Sequence, residues 1–485
     1  MPNKFQSAVM RALLVSAAFF SPYSISHAQE LMSSSSPTLP LAVTAALQEA
    51  AIPAQNVGIY VQEASAGGKV VAANSISTPF NPASTMKLVT TDAALELLGP
   101  TYSWKTTAYT DGRQVGTTLQ GNLIFKGGGD PKLVLENFWL FLRQIRAKGI
   151  RDIRGNVVLD RSMFDENAYD PAAFDGDPLK PYNAGPDALL LNYKTLTFQF
   201  VPDDATGLIR VVVDPPMAGY TVIPPRSAKG ACGDWQGKLQ ATFDENGASF
   251  NGTLPASCGE KIWYVNPYKM SSSQYFGNVF RQMWTDLGGT LSGTVKSGVV
   301  PVGTRFIAEW SSVTLPEVIR DINKYSNNVM ARQTLLTIAA DILKLPATPE
   351  RGARAIQSWL ANKGIDASDL VIENGSGLSR NERISARTMG RILASAYQSP
   401  TMPEFMSSMP LVGFDGTMRN RLKGQGITGQ AHIKTGTLND VRAIAGYVLA
   451  ASGKYYVVVC LINHANAARG QGVQDALLQW VYENG

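Results

Sequence analysis

Apolar residues recur along this chain with two different periods, and the period switches with position. Near the start, "LPLAVTAALQEAAI" (39–52) carries a helical stripe, and two apolar runs follow, "VGIYVQEA" (57–64) and "KVVAAN" (69–74), a strand pair joined around Gly67 and Gly68. Helical spacing returns in "NPASTMKLVTTDAALELLGP" (81–100): Asn81 suits a cap, Pro82 a first helical position, and Gly99-Pro100 a stop. From about Trp104 to Thr304 the pattern breaks into short β-rich pieces, "LQGNLIFKG", "GNVVLD", "LTFQFVP" and "LIRVVVDPP", separated by Gly and Pro turns. Only "LVLENFWLFLRQIRAKG" and "SQYFGNVFRQMWTDLGG" read as helices there, so this region reads as inserted material.

Helical patterns resume in "LPEVIRDINKYSNNVMARQTLLTIAADIL", "ERGARAIQSWLANKG" and "SARTMGRILASAYQ". Three strands then follow, "AHIKTGTL", "VRAIAGYVLA" and "KYYVVVCLINH", with "GVQDALLQWVYE" as a closing helix. N-terminal strands, a helical middle and C-terminal strands complete one α/β unit once the insert is looped out.

Composition adds three constraints. A chain of 485 residues, 45% hydrophobic and 17% charged, has room for about three domains. Lys4 and Arg11 precede the apolar run "ALLVSAAFF", and "SHA" at 26–28 puts small residues before Gln29, so 1–28 is expected to be a signal peptide and the mature protein periplasmic. That run falls short of the roughly 20 apolar residues that span a bilayer, which leaves peripheral membrane contact at most. Cleavage would remove Lys4 and Arg11 and no acidic residue, taking the net charge from +5 to +3 (5 minus 2). Such a mild and scattered excess argues against a nucleic-acid partner.

The cysteines and histidines narrow the chemistry. In an oxidising compartment Cys232 and Cys258, which flank a polar Gly-rich segment, are expected to pair, whereas Cys460 inside "YYVVVCLI" reads as a small buried hydrophobe. Only His432 and His464 survive export and no ligands stand at zinc spacing, so neither a metal nor another cofactor is expected.

Ser84 and Lys87 are the first candidates for chemistry. Three positions apart on a helix, they share a face, and Leu88 and Leu95 lie on it too, so the ammonium enters the interior or lines a cleft. Desolvation lowers a buried lysine's pKa, and a neutral amine can take the proton of a nearby hydroxyl. Backbone N–H groups at a helix start are available to a developing oxyanion. A capping serine with a lysine snorkelling to solvent is the plain alternative. Two further stretches weigh against it: Ser326-Asn327-Asn328 at a break between helical segments, and Lys434-Thr435-Gly436 on a strand leading to a turn. A serine and an amide on a loop can relay a proton and bind a substrate amide. A lysine and threonine on an edge strand can hold a carboxylate, with glycine permitting close approach.

These residues resemble the three signatures of penicillin-binding proteins and serine β-lactamases, S-x-x-K, S-x-N and K-T-G. They stand here as Ser84-Thr85-Met86-Lys87, Ser326-Asn327-Asn328 and Lys434-Thr435-Gly436; Asn327 departs from the Asp often found at its position. Lys87 and Ser326 are 239 positions apart (326 minus 87), a gap filled by the β-rich insert. That spacing is similar to the class C low-molecular-mass penicillin-binding proteins, the D-alanyl-D-alanine carboxypeptidase/endopeptidase family that includes penicillin-binding protein 4. "GGGDPKL" (127–133), "GNVVLDRSMF" (155–164) and "NGSGLSR" (374–380) extend the resemblance over nearly all of the mature chain.

The resemblance implies an α/β (α+β) fold: a serine DD-peptidase/β-lactamase-like domain with an antiparallel sheet flanked by helices, interrupted by two inserted β-rich domains. The expected division is 29–104 with 305–485 for catalysis, 105–193 with 264–304 for one insert, and 194–263 for a second nested within it. It also implies hydrolysis of peptidoglycan stem peptides and cross-links through an acyl-enzyme on Ser84, with β-lactams as covalent inhibitors. Lys87 is then the general base, Ser326 the proton relay, Asn328 the holder of the substrate amide and Lys434 the electrostatic tuner. Thr435 binds the substrate carboxylate beside Gly436, Thr437 shares the oxyanion with Ser84, and Asp160 faces the stem peptide. Ser376 and Ser379 receive no catalytic role.

Overall fold

The computed structural model describes residues 39–485 except 66, 166–168 and 204–205. The export segment read at 1–28 lies outside these described residues. At the centre is a five-stranded antiparallel sheet in the order Val70–Asn74, Val57–Glu63, Tyr455–Asn463, Val441–Leu449, Ala431–Leu438. Val57–Glu63 thus pairs with Tyr455–Asn463, joining the N-terminal strands to the C-terminal ones.

Both faces of this sheet are covered, which explains why "YYVVVCLI" is continuously apolar instead of alternating. Val457, Val459 and Leu461 join a core under the helices Met86–Leu98, Leu315–Tyr325, Asn328–Leu343, Pro349–Asn362 and Ala386–Tyr397. Val458, Cys460 and Ile462 pack on the opposite side against Leu41–Glu49 and Gln471–Asn484. Cys460 is buried and unpaired, its thiol pushed up to about 12 by desolvation. Met86–Leu98 is buried continuously from Met86 to Leu95, so it has no polar stripe; a helix enclosed all round has no use for one.

The pattern in "LPEVIRDINKYSNNVMARQTLLTIAADIL" resolves into two helices. Thr314 and Glu317 form a capping box that opens the first, and Ser326 ends it in the left-handed region at φ 58°. Asn327 then caps the second, its side chain accepting from the Met330 N–H at 3.0 Å. The centre of the second motif is therefore a structural cap.

Ser103–Thr110 and Arg305–Thr314 pair antiparallel, so the chain leaves and re-enters the central unit side by side. Between them, a second five-stranded sheet carries Leu135–Ala147 and Ser272–Asp286, and Phe125 meets Phe138, Phe141, Phe276 and Phe280 at 5.6 to 6.1 Å. Further out, Leu196–Asp203 pairs with Leu208–Asp214 and Lys261–Val265 over a core of Phe198, Phe200, Phe243 and Phe250. Cys232 and Cys258 are bonded there, 26 positions apart.

Polar contacts tie this region to Asn328–Leu343. Gln333 and Asp187 exchange two hydrogen bonds of 2.8 and 2.9 Å, and Trp104 Nε1 donates to Thr337 Oγ1 at 2.8 Å. Among the described residues no helix is long and apolar enough to cross a membrane.

Closing a loop of this length, the disulfide stabilises the hairpin it spans, Ala241–Phe243 with Gly247–Phe250, by about 3 to 4 kcal/mol relative to the reduced chain. Replacing Cys232 and Cys258 with serine is expected to speed amide exchange in Ala241–Phe243 and Gly247–Phe250 while leaving Tyr455–Asn463 protected. Equal protection of the outer strands with and without the bond would contradict this.

Candidate active site

The turn that presents Ser84 is held by tertiary contacts. Asn81 Oδ1 accepts from the Ala83 N–H at 2.8 Å, its Nδ2 donates to the Ser379 carbonyl at 2.8 Å, and its own N–H donates to Asn463 Oδ1 at 2.7 Å. These anchors set Ala83–Thr85 as a 3-10 turn, with the α-helix starting only at Met86 instead of at Pro82 as its sequence suggests. Ala83 sits at φ 44°, a conformation costly for a residue with a side chain and held here by its surroundings.

Lys87 lies one turn further on and is completely buried. Its Nζ is 3.0 Å from Ser84 Oγ and 2.6 Å from Asn328 Oδ1, and it donates to the Ser376 carbonyl as well. Desolvation holds its pKa well below that of a free lysine; Lys434 and Arg332 push in the same direction, and Glu382 opposes them. A neutral amine has two N–H groups and one lone pair. Asn328 Oδ1 and the Ser376 carbonyl can only accept and take the two N–H groups, so the lone pair is left for the Ser84 hydroxyl.

A second buried amine faces the same cleft. Lys434 Nζ donates to Ser326 Oγ at 2.9 Å and to the Thr435 carbonyl at 2.7 Å, and burial lowers its pKa to about 7. The helix end at Ser326 meets this strand because the 410–418 segment braces both. Lys324 pairs with Asp415 at 2.5 Å, and Thr435 Oγ1 donates to Thr417 Oγ1 at 2.7 Å.

Ala431–Leu438 is the outer strand of the central sheet. Its first residues are covered: the Val412 N–H donates to the Ala431 carbonyl at 3.0 Å, and the Ile433 N–H to the Pro410 carbonyl at 2.8 Å. Residues 431 and 433 thus direct their backbone groups outward, and the two-residue period directs those of Thr435 and Thr437 to the same open edge. Gly436 is required by crowding, since a Cβ there would stand 2.9 Å from the Pro82 carbonyl and 2.9 Å from the Ser84 nitrogen.

The structure thus brings Ser84, Lys87, Asn328, Ser326, Lys434, Thr435, Gly436 and Thr437 around one cleft. Asp160 does not join them. It is buried, its carboxylate accepting from the Ser162 N–H at 3.0 Å and the Val300 N–H at 2.8 Å, so it anchors the inserted sheet.

Three contributors escaped the sequence reading. The Ser376 carbonyl holds Lys87, Gly377 at φ 77° presses its backbone against Ala83, and buried Glu382 fixes the intervening loop. Glu382 Oε1 accepts the N–H groups of Glu373, Asn374 and Gly375 at 3.1, 2.9 and 2.9 Å. The signal available was an acid closing the Gly- and Ser-rich run "NGSGLSRNE".

A D-alanyl-D-alanine carboxypeptidase of Actinomadura sp. strain R39 is 27% identical over 90% of this chain and 82% of its own. The D-alanyl-D-alanine carboxypeptidase DacB of Haemophilus influenzae is 25% identical over 84% and 85%. The crystal structure of penicillin binding protein 4 from H. influenzae superposes with a TM-score of 0.76, covering 91% of this chain and 99% of that one at 23% identity. The same protein complexed with a β-lactam gives 0.72, covering 92% and 100% at 23% identity. The fold is that of penicillin binding protein 4. The model of the D-Ala-D-Ala carboxypeptidase 3 (S13) family matches residues 39–484, and the chain belongs to that family as a serine-type D-Ala-D-Ala carboxypeptidase.

Proposed function

We propose that Ser84 is the acylating nucleophile of an exported enzyme that hydrolyses both D-Ala-D-Ala termini and cross-links of peptidoglycan, and that β-lactams trap it as a stable acyl-enzyme. The observation that carries this reading is the buried Lys87 amine, 3.0 Å from Ser84 Oγ, with its two other partners both carbonyl acceptors.

Lys87 takes the Ser84 proton as Oγ bonds to the carbonyl carbon between the two D-alanines. The oxyanion is held by the backbone N–H groups of Ser84 and Thr437. Breaking the C–N bond requires a proton on the leaving amine; Ser326 supplies it and regains one from Lys434, its partner at 2.9 Å. Water then attacks the acyl carbon, its proton passing through Ser326 to the now neutral Lys434, and the ester C–O bond breaks as Lys87 returns its proton to Ser84 Oγ. Asn328 uses Oδ1 on Lys87 and offers its amide N–H groups to the acyl side of the substrate, while Thr435 receives the terminal carboxylate.

In this reading 29–104 and 305–485 form the catalytic part, and the inserts at 105–193 with 264–304 and at 194–263 shape the approach to it. Endopeptidase action uses the same chemistry on a larger leaving amine. A periplasmic location fits both the substrate and the export segment.

Fluorescent penicillin is expected to label the wild-type protein covalently and to leave Ser84→Ala unlabelled with an unchanged circular dichroism spectrum. Correctly folded wild-type protein that takes no label would refute the proposal.

Lys87→Arg puts a permanent positive charge where the neutral amine stands and provides no base, so acylation should fall by about 10² to 10⁴. Because the pKa of Lys87 is lowered, its neutral form prevails above that depressed value. The acylation rate should therefore hold at neutral pH and decline as pH falls through the lowered pKa. A rate that rises only near pH 10, where ordinary lysines titrate, contradicts the assignment.

Incubation with intact muropeptides and mass analysis should yield both free D-alanine and uncrosslinked monomers. Release of D-alanine alone would confine the activity to carboxypeptidation.

A further inference from the structure

A groove of about 840 Å³ opens beside the Ser326-Asn327-Asn328 turn, and its far wall belongs to the outer inserted sheet. The way that sheet is built makes this wall unusual. In Leu196–Asp203, Phe198 and Phe200 turn into the core, so Thr197 and Gln199 occupy the other face. Register places Tyr264 opposite Thr197 and Ile262 opposite Gln199 on that same face. An antiparallel sheet with one face in water normally carries polar residues there. Here Tyr264 is 57% exposed and Ile262 46% exposed, and Tyr325, in the facing wall, is 73% exposed. Both walls of the groove therefore present bare aromatic surface beside Asn328, the residue proposed to hold the acyl side of the substrate, which is the side that bears the glycan.

The volume and the lining identify a ligand class. The groove is of the size that encloses a molecule of several hundred daltons, whereas a departing D-alanine needs far less. Its polar lining is mainly uncharged, including Asn192, Thr195, Thr197 and Gln236, while Lys180 and Asp214 balance in charge. Stem peptides carry carboxylates and favour an excess of Arg or Lys. Flat aromatic faces among amides and hydroxyls suit a neutral ring that has apolar C–H faces and an equatorial rim of hydroxyl and acetamido groups.

We propose that this groove is a saccharide subsite, in which Tyr264 and Tyr325 stack against N-acetylated aminosugars of the glycan that bears the stem peptide. The inference rests on the peptidoglycan substrate proposed above. It makes the inserted sheet a specificity element that distinguishes glycan-bearing stems from free peptides.

Chitotetraose, which has no peptide, tests the subsite apart from catalysis. Calorimetric or NMR titration should show it binding to the wild-type protein. Tyr264→Ala should bind about tenfold more weakly and Tyr264→Phe nearly as well, since the ring face is retained. Wild-type kcat/KM for D-alanine release should be higher on a disaccharide pentapeptide than on the free pentapeptide. Tyr264→Ala should remove that advantage through KM and leave the free pentapeptide and penicillin acylation unchanged. Absence of chitotetraose binding to the wild type, equal binding by Tyr264→Ala, or equal loss on both peptides would overturn the subsite. If penicillin does not label and neither peptide is cleaved, the proposed function fails, whereas the chitotetraose titration still decides the subsite by itself.

Discussion

The site depends on an amine kept out of water with no carboxylate in contact. A buried ammonium loses several kcal/mol of hydration, and a direct ion pair is the usual compensation. Such a pair would keep Lys87 protonated and useless as a base. Its contacts are instead a hydroxyl and two carbonyl oxygens. Glu382, the acid whose charge Lys87 senses, has one oxygen occupied by three backbone N–H groups of the neighbouring loop. The acid thus shapes the loop that carries the Ser376 carbonyl without pairing with the amine.

The second lysine makes the two halves of the cleft unequal. Lys434 is also buried and desolvation lowers its pKa to about 7, while Lys87 is held well below its normal value by desolvation, by Lys434 and by Arg332. Two ammoniums cannot both persist in one desolvated space, so protonation is shared as a coupled pair. In the function proposed above, Lys434, next to Ser326, supplies the proton and Lys87, next to Ser84, supplies the lone pair. Environments that push paired groups apart in this way assign the acid and base sides of a reaction.

Much of this was legible in the sequence because it rests on local periodicity. The strand "AHIKTGTL" is Ala431–Leu438 as read, and three-residue spacing placed Ser84 and Lys87 on one face, where their side chains meet at 3.0 Å. What escaped depends on distant contacts. Asn81 looked like an α-helix cap, but its bonds to Asn463 and Ser379 make it the anchor of a 3-10 turn. The Ser376 contribution is a backbone carbonyl, which side-chain chemistry does not announce. Asp160 closes its strand as expected, but the Val300 N–H, far along the chain, determines where its carboxylate points. Ser326 and Asn328 were recognisable as a motif, whereas the cap supplied by Asn327 shows why the motif sits at a helix break.

The insert bears on the chemistry through the helix it grips. Arg332 is buried one turn beyond Asn328 and donates to the Tyr182 and Ala184 carbonyls at 3.1 and 3.0 Å. Gln333 and Asp187 lock the next position. These bonds fix the start of Asn328–Leu343, and with it the Asn328 oxygen 2.6 Å from Lys87. The same guanidinium, charged at any working pH, also repels a proton on Lys87. One side chain from Asn328–Leu343 therefore holds the insert in register and biases the Lys87 amine toward its neutral form, so displacement of the insert would loosen the position of Asn328 and weaken the electrostatics at Lys87 together.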